Sequence, residues 1–219
     1  MHGILEPILQ EPNLRQLINE LEARWDDEQR CRQEFYEKIQ PGDKWEFING
    51  KIIMHSPAKD KHTDARQRLS YLLQTYAGLK KSGVVRDETA LVTLTRNDYL
   101  PDIAFFSAKK AASFTPDTWR YPIPDFIVEI LSDSTELNDR GIKKDDYAEH
   151  GAREYWLVDT DLQTVEQFLP DENRKEFFLF AKKTVKDRIE SRVIMGFDIP
   201  VAAIFDENLK VETMRNWLQ

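Results

Sequence analysis

Residues 124–160 read PDFIVEILSDSTELNDRGIKKDDYAEHGAREYWLVDT and predict a strand, a helix and a second strand in direct succession. The apolar run Phe126–Leu131 is typical of a strand that is buried on both faces. A helix is expected from about Asp139 to His150, because Gly151 suits the position that follows a helix. A second buried strand is expected at Glu154–Asp159. Together these elements predict a βαβ unit with a right-handed crossover.

Glu129 stands in the middle of the first of these strands. A carboxylate in a buried strand costs free energy unless it is paired, hydrogen-bonded or bound to a metal. The βαβ geometry also brings the C-terminal end of this strand and the inner face of the helix around one cleft. Glu129 is therefore the first candidate for a functional residue.

The composition limits the class of protein. The chain has 219 residues, 41% of them hydrophobic and 11% aromatic, which suffices for the core of one domain with an appendage. The N-terminus lacks the basic region of a signal peptide, and no apolar run is long enough to span a membrane. Because Cys31 is the only cysteine, no internal disulfide is expected. We expect a cytoplasmic protein without a membrane partner.

The formal net charge of −8 argues against a protein that coats nucleic acid by bulk electrostatics. Part of this charge lies in residues 1–40, which are expected to form an N-terminal helical extension. Apolar residues recur there at helical spacing: Leu14, Leu17, Ile18, Leu21 and Trp25. Pro41-Gly42-Asp43 would end the extension, and residues 41–219 would form the main domain. The simplest interpretation of the extension is a packing or dimer-contact element without chemistry.

The rest of the chain alternates between predicted strands and helices. Asn49-Gly50 predicts a hairpin turn between strands at Trp45–Ile48 and Lys51–Met54. A long helix is expected from Asp60 to Lys81, closed by Gly83. Further strands are expected at residues 84–95, 99–107, 165–169, 177–180 and 188–194, with short helices after residue 108 and at residues 200–205. We predict an α/β (α+β) fold with a mixed sheet, parallel at its centre, antiparallel towards both ends and flanked by helices.

A second acid, Asp102, heads a buried strand. It follows Pro101 and precedes the apolar run Ile103–Phe106. If this strand neighbours that of Glu129, the two carboxylates can lie about one strand spacing apart, ~5 Å. Carboxylates this close repel each other unless a proton or a cation lies between them. Oxygen ligands of this kind suit Mg²⁺ or Mn²⁺, so Asp102 and Glu129 are the predicted metal ligands.

Lys143 is the third candidate. It follows Glu129 by 14 residues and shares a helix face with Tyr147, four residues further on. If that face is turned towards the cleft, its ammonium group could orient an attacking water or neutralise a phosphate oxygen. Lys144 points in a different direction and is expected to be solvated.

Several of these motifs resemble the putative restriction endonuclease family that is abundant in cyanobacteria and belongs to the PD-(D/E)XK nuclease superfamily. They are PD at 101–102, the strand with Glu129, DRGIKKDDY at 139–147 and EYWLVD at 154–159, and the resemblance runs from about Trp45 to Phe205. In the superfamily the lysine usually follows the second acid by two residues, where this chain has Leu131. In the family it lies on the next helix, in a D-R-x-x-K-x-x-x-Y pattern that Asp139, Arg140, Lys143 and Tyr147 fill.

The resemblance implies a restriction-endonuclease-like fold and a divalent-metal-dependent endonuclease that hydrolyses DNA. It also implies Glu46 of the hairpin and His62 at the start of the long helix as further catalytic candidates. We expect a homodimer, because one site cuts one strand and duplex cleavage needs two sites.

The same residues allow other interpretations of their roles and of the function. Asp102 and Glu129 could be structural acids, and Asp139 could be no more than a helix N-cap, with Arg140 as a pairing or phosphate-contact residue. A catalytically inactive DNA- or protein-binding module could keep the same fold. A metal-dependent hydrolase of another phosphoester is a third possibility.

Overall fold

The structure is a computed structural model that describes residues 2–171 and 175–218, with side chains from residue 5 onward. The helices are α1 His2–Leu9, α2 Leu14–Lys38, α3 Asp60–Lys80, α4 Ala108–Ala111, α5 Glu136–Arg140, α6 Ile142–Glu149 and α7 Glu207–Trp217, with a 3₁₀ turn at Val201–Ile204. The strands are β1 Trp45–Ile48, β2 Lys51–Met54, β3 Gly83–Asp87, β4 Leu91–Thr93, β5 Asp98–Tyr99, β6 Ile103–Ser107, β7 Arg120–Tyr121, β8 Phe126–Ile130, β9 Glu154–Asp159, β10 Thr164–Asp171, β11 Glu176–Thr184, β12 Arg188–Glu190 and β13 Asp198–Pro200. No helix in these described ranges combines the length and the apolar composition needed to cross a membrane.

The main sheet has six strands in the order β11-β10-β9-β8-β6-β3. Its central strands β8 and β9 are parallel, with Glu129 opposite Leu157. The other neighbours in the sheet pair antiparallel. This confirms the predicted mixed sheet and the strand–helix–strand unit at its centre.

Strand β8 is buried along its whole length, because α3 covers one face of the sheet and α6, together with strands of a smaller sheet, covers the other. Phe126, Val128 and Ile130 pack in the cluster that holds the apolar face of α3. Ile127 points the other way, into the cluster that holds Tyr147 of α6. Since side chains alternate along a strand, Glu129 shares the α6 side with Ile127.

A smaller sheet, in the order β2-β1-β5-β4-β7, carries the predicted hairpin. Asn49 and Gly50 have φ values of 49° and 78°, the left-handed conformations that a two-residue hairpin turn requires. The pairing of β1 with β2 sets Glu46 opposite Ile53. The hairpin thereby presents Glu46 on a buried side of β1.

The two long strands predicted at residues 84–95 and 99–107 are wrong in their extent. The first is divided into β3 and β4, which belong to different sheets, and Glu88 between them has a φ of 39° that interrupts the extended backbone. The second begins earlier, as β5, and is interrupted before β6 at Pro101, which has no N–H to donate to a sheet. These breaks send the chain back and forth between the two sheets.

The predicted single helix 139–150 is also two helices. It begins earlier, at Glu136, and α5 and α6 are separated at Gly141, whose φ of −109° and ψ of −108° are not helical. Gly151 has a φ of 87° and follows the end of α6, as the sequence predicted. The break turns the chain between Asp139 and Lys143.

Near the C-terminus, the strand predicted at 188–194 is shorter and pairs only with β13. The short helix predicted at 200–205 is present as a 3₁₀ turn, but helix α7 follows it and was not predicted. The ring of Trp217 in α7 packs on Tyr76 of α3, with centroids 5.1 Å apart. Helix α7 thus covers part of α3.

At the N-terminus, α2 is one helix whose two halves differ. Leu21 and Trp25 in its first half are 58% and 47% exposed. Its last turns contact the small sheet through Arg32, which is bonded to Asp98, and through Phe35, whose ring packs on that of Phe47. Only the first half of α2 projects from the sheets.

Gly83 does not close α3. Lys81 takes the left-handed conformation there, with a φ of 51°, and Gly83 opens β3. A Cβ atom at Gly83 would lie 2.1 Å from the Phe106 carbonyl oxygen. The glycine is therefore needed for the close approach of β3 to β6.

Gly83→Ala is expected to lower the free energy of unfolding by about 1–3 kcal/mol, because the strand must move to admit the methyl group. Gly78→Ala is the control, since nothing lies within 4 Å of its added Cβ and alanine is the better helix former. Urea unfolding of both variants measures the difference. Equal stability of Gly83→Ala and the wild type would contradict the close approach.

Candidate active site

A cavity of about 370 Å³ lies where the C-terminal end of β8, the start of β6, the start of α3 and the helices α5 and α6 meet. Four of the predicted site residues line it: His62, Asp102, Glu129 and Lys143. The fifth, Glu46, is fully buried and contacts Lys143. The structure therefore brings all five together, although they come from five different elements or their flanks.

Asp102 and Glu129 are interlocked across β6 and β8. The antiparallel pairing of these strands, with Ile103 opposite Val128, sets the two acids side by side. The Asp102 amide donates to Glu129 Oε2 at 3.0 Å, and the Ile130 amide donates to Asp102 Oδ2 at 2.7 Å. Each carboxylate is thus oriented by the backbone of the neighbouring strand.

Lys143 is enclosed by three acids. Its Nζ lies 2.9 Å from Glu46 Oε1, 3.1 Å from Asp139 Oδ1 and 3.2 Å from Glu129 Oε1. Burial lowers the pKa of Lys143, but the three carboxylates outweigh burial and raise it well above its usual range. Lys143 is therefore held as a cation.

Tyr147 completes this arrangement from the same helix face. Its hydroxyl donates to Glu129 Oε1 at 3.1 Å. Lys143 and Tyr147 thus both face Glu129, as their i, i+4 spacing predicts. Lys144 points away, with its Nζ 5.6 Å from the centre of the Phe168 ring.

The acids around Lys143 differ in their affinity for protons. Burial, together with the charges of Asp139, Asp102 and Glu46, raises the pKa of Glu129 well above its usual range, against the effect of Lys143. Glu46 is equally buried, yet Lys143 and His55 lower its pKa to about 2. Glu46 is also stabilised as an anion by His55 and by the Leu100 amide, whereas Glu129 lies close to three other acids. Burial also raises the pKa of Asp139, so Glu129 and Asp139 are the acids of this cluster that hold their protons more tightly.

His62 reaches the acid pair from the start of α3. Its Nε2 lies 3.3 Å from Asp102 Oδ2. Burial lowers the pKa of His62, but the contact with Asp102 more than offsets this and raises it. His62 therefore helps to fix the orientation of the Asp102 carboxylate.

Two residues of the site were not predicted as such. Asp139 was expected as a helix N-cap, but it lies inside α5 and its carboxylate is buried against Lys143. The four-residue spacing could not reveal this contact, because Asp139 and Lys143 lie on separate helices on either side of Gly141. His55 Nε2 lies 2.9 Å from Glu46 Oε2, without the angle of a hydrogen bond, and no motif singled it out.

Arg140 is a pairing residue outside the cavity. Its guanidinium donates to Glu136 at 2.7 Å and to Glu166 at 2.6 Å. Arg140 was expected either to pair with an acid or to contact a phosphate, and the structure shows the ion pairs.

The side chains of the site can be potential ligands of a divalent metal. In the described part of the chain, no three His, Cys, Asp or Glu side chains are grouped so as to hold an ion by themselves. Asp102 and Glu129 supply two adjacent carboxylates, and Glu129 has a raised pKa, so a cation there would compete with a proton. Mg²⁺ is commonly bound by one or two carboxylates together with waters and substrate phosphates. The residues present fit such an ion.

Comparison with known proteins confirms the resemblance. A family model described as "Putative restriction endonuclease" matches residues 32–202, which is more than half of the chain. The crystal structure of a protein described as a putative nuclease from Anabaena variabilis superposes with a TM-score of 0.67 and 20% sequence identity, over 79% of this chain and 96% of that one. This likeness shows a shared fold. Curated proteins gave no significant match.

Proposed function

Because the chain belongs to the putative restriction endonuclease family, we propose that it is a Mg²⁺- or Mn²⁺-dependent endonuclease that hydrolyses DNA phosphodiester bonds. One observation carries this proposal: two interlocked carboxylates, Asp102 and Glu129, face a cavity beside a lysine that is held as a cation. Acids whose only role is to stabilise the fold would not need to line a cavity.

Asp102 and Glu129 would hold the metal. When bound, the ion would polarise the phosphate and lower the pKa of a water molecule. Lys143 cannot serve as a general base near neutral pH, because its pKa is raised well above the usual range. Its ammonium group instead orients the attacking water or stabilises the negative charge that develops on the phosphate.

Glu46 and His62 act as positioning residues in this scheme. Glu46 is ionised and accepts from the Leu100 amide at 2.8 Å, so it holds Lys143 Nζ at a fixed place. His62 steadies Asp102 through the contact of its Nε2 with Asp102 Oδ2. Neither needs to touch the reacting phosphate.

The proposed assembly is a homodimer in the cytoplasm, with DNA as its partner. Two sites related by two-fold symmetry would match the symmetry of duplex DNA. Residues 1–40 would serve as a helical extension of the nuclease domain at residues 41–219.

A second function is a catalytically inactive binding module with the same fold. Within this alternative, the charge of the cavity favours a protein-binding over a DNA-binding module, because eight acidic residues and only four lysines line the cavity. DNA would be repelled by such a surface in the absence of a cation. A metal-dependent hydrolase of another phosphoester is a weaker alternative, which the same experiment covers.

The test is calorimetric titration of Mn²⁺ and Mg²⁺ into the wild type, Asp102→Asn and Glu129→Gln, followed by plasmid nicking with the same samples. We expect the wild type to bind metal and nick DNA, and both variants to lose both properties while remaining folded by circular dichroism. Asp145→Asn is the control, since Asp145 is exposed and does not line the cavity. If the folded wild type binds no metal even with DNA present, the acids are structural and the binding module becomes the better account.

A further inference from the structure

The lining of the cavity is rich in acids, so DNA can be held there only through its few lysines. This inference rests on the proposed function. DNA affinity depends largely on lysine and arginine contacts with phosphates. The four lysines that line the cavity are Lys44, Lys59, Lys61 and Lys143.

Each of these lysines already has an acidic partner within the described ranges. Lys143 lies among its three acids, and Lys44 Nζ lies 2.7 Å from Glu88. Lys59 Nζ lies 2.9 Å from Asp133, and Lys61 is paired with Asp161. A phosphate can therefore gain a lysine only by replacing a carboxylate.

The four pairs differ in how easily this replacement occurs. The Lys143 cluster is buried, and Glu88 is only 17% exposed and also holds Arg66 at 3.0 Å. By contrast, the side chains of Asp133 and Asp161 are 87% and 74% exposed. Water and salt screen such exposed pairs, so they contribute little to stability and exchange readily.

The two exposed pairs also lie where a phosphate that enters the cavity could reach them. Lys59 directly precedes α3 and Lys61 lies in its first turn, on the element that supplies His62. Asp133 follows β8 and Asp161 follows β9, so the pairs join the start of α3 to the loops after the two parallel strands. All four residues line the cavity that holds the acid pair.

We propose that Lys59 and Lys61 bind phosphates of the DNA backbone, and that Asp133 and Asp161 take the place of these phosphates in the free protein. DNA binding then exchanges two protein carboxylates for two phosphates at the cavity. The exchange leaves the freed carboxylates in water, where they were already largely exposed.

The test is the affinity for a fluorescently labelled DNA duplex, measured over a range of salt concentrations with Ca²⁺ present. The double substitution Lys59→Gln with Lys61→Gln is expected to weaken binding and to reduce the slope of log affinity against log salt by about 2, near 0.9 for each lost phosphate contact. Asp133→Asn with Asp161→Asn is expected to tighten binding by ~2- to 5-fold, because the lysines no longer have competing partners.

The pair of Lys175 and Glu149 provides matched controls. Its atoms lie 2.8 Å apart, its side chains are 65% and 51% exposed, and neither residue lines the cavity. Lys175→Gln changes the net charge by as much as each lysine substitution in the cavity, and Glu149→Gln by as much as each aspartate substitution. Their effects therefore give the contribution of net charge alone. The effects at residues 59, 61, 133 and 161 should exceed them.

The outcomes separate this inference from the proposed function. Binding by the wild type with a salt slope unchanged in the lysine variants would overturn the inference and leave DNA as the substrate. Weaker binding by the asparagine variants would also overturn it, since the carboxylates would then not compete with DNA. A wild type that binds no duplex would overturn both.

Discussion

Lys143→Met is expected to lower the free energy of unfolding by about 3–5 kcal/mol near neutral pH, because it leaves a buried acid cluster without its cation. Methionine has a similar length and no charge, so the substitution removes the ion pairs while largely filling the space. Glu46, Glu129 and Asp139 are each nine-tenths or more buried and would lose their shared partner. Under the proposed function, plasmid nicking should slow by ~10²–10³-fold, the usual cost of removing one charge-stabilising group from an active site.

The cost of Lys143→Met should depend on pH in a defined direction. Burial raises the pKa of Glu129 and that of Asp139, so the folded state binds protons more tightly than the unfolded state at these positions. Stability from such groups is present at low pH and is lost as pH rises through the folded-state pKa. Without Lys143 these pKa values rise further. The cost of the substitution should therefore be smaller at about pH 5 than at about pH 8, as measured by urea unfolding.

Lys144→Met is the matched control, since Lys144 lies on the same helix and contacts the Phe168 ring rather than an acid. Its effect on stability should be within about 0.5 kcal/mol and should not change with pH. If Lys143→Met lost no more stability than Lys144→Met, the buried acids would not depend on this lysine. A larger loss at low pH than at high pH would also contradict the electrostatic account.

The parts of the fold that the sequence predicted are those with a local cause. The apolar strands FIVEIL and EYWLVD have no solvent-facing positions at their centres, so they must lie inside a sheet. Asn49-Gly50 specifies a hairpin through its backbone conformation alone. Each of these signals acts within a few residues and depends little on the rest of the chain.

The parts that were missed depend on contacts between distant residues. The left-handed conformation of Glu88 is unusual for glutamate, and no nearby residue signals the break that it makes between β3 and β4. Lys81 takes the left-handed position after α3, while Gly83 is needed two residues later for its close approach to Phe106 of β6. Helix α7 has a weakly apolar face, and it is held by its contact with Tyr76 of α3.

In the candidate site, too, the features with a local cause could be predicted and those that depend on distant contacts could not. Asp102, Glu129 and Lys143 could be chosen from the sequence because charged residues beside apolar strands are conspicuous. The adjacent placement of Asp102 and Glu129 follows from the antiparallel pairing of β6 with β8, which the sequence left open, whereas α6 brings Lys143 to them. Asp139 was assigned to a cap because the break at Gly141 was not foreseen, and that break sets its orientation towards Lys143.

Arg32→Met is expected to lower the free energy of unfolding by about 3–5 kcal/mol, because it breaks a buried ion pair and leaves one charge unpaired. Arg32 Nε lies 2.6 Å from Asp98 Oδ2, and their side chains are 8% and 0% exposed. The same guanidinium donates to the carbonyl oxygens of Leu94 and Thr95, at 2.7 Å and 2.9 Å. The substitution would therefore release the end of α2 and the turn between β4 and β5 together. Urea unfolding monitored by far-UV circular dichroism measures the loss.

Arg30→Met is the control for Arg32→Met, since Arg30 lies on the same helix and pairs with Asp27 while both side chains are 68% exposed. Its substitution should change the unfolding free energy by less than about 0.5 kcal/mol. A large difference between the two variants would mean that the main domain begins within α2, near Arg32, which is also where the family match begins. If Arg32→Met were as stable as Arg30→Met, the whole of α2 would belong to the N-terminal extension, and the main domain would begin near residue 41 as the sequence predicts.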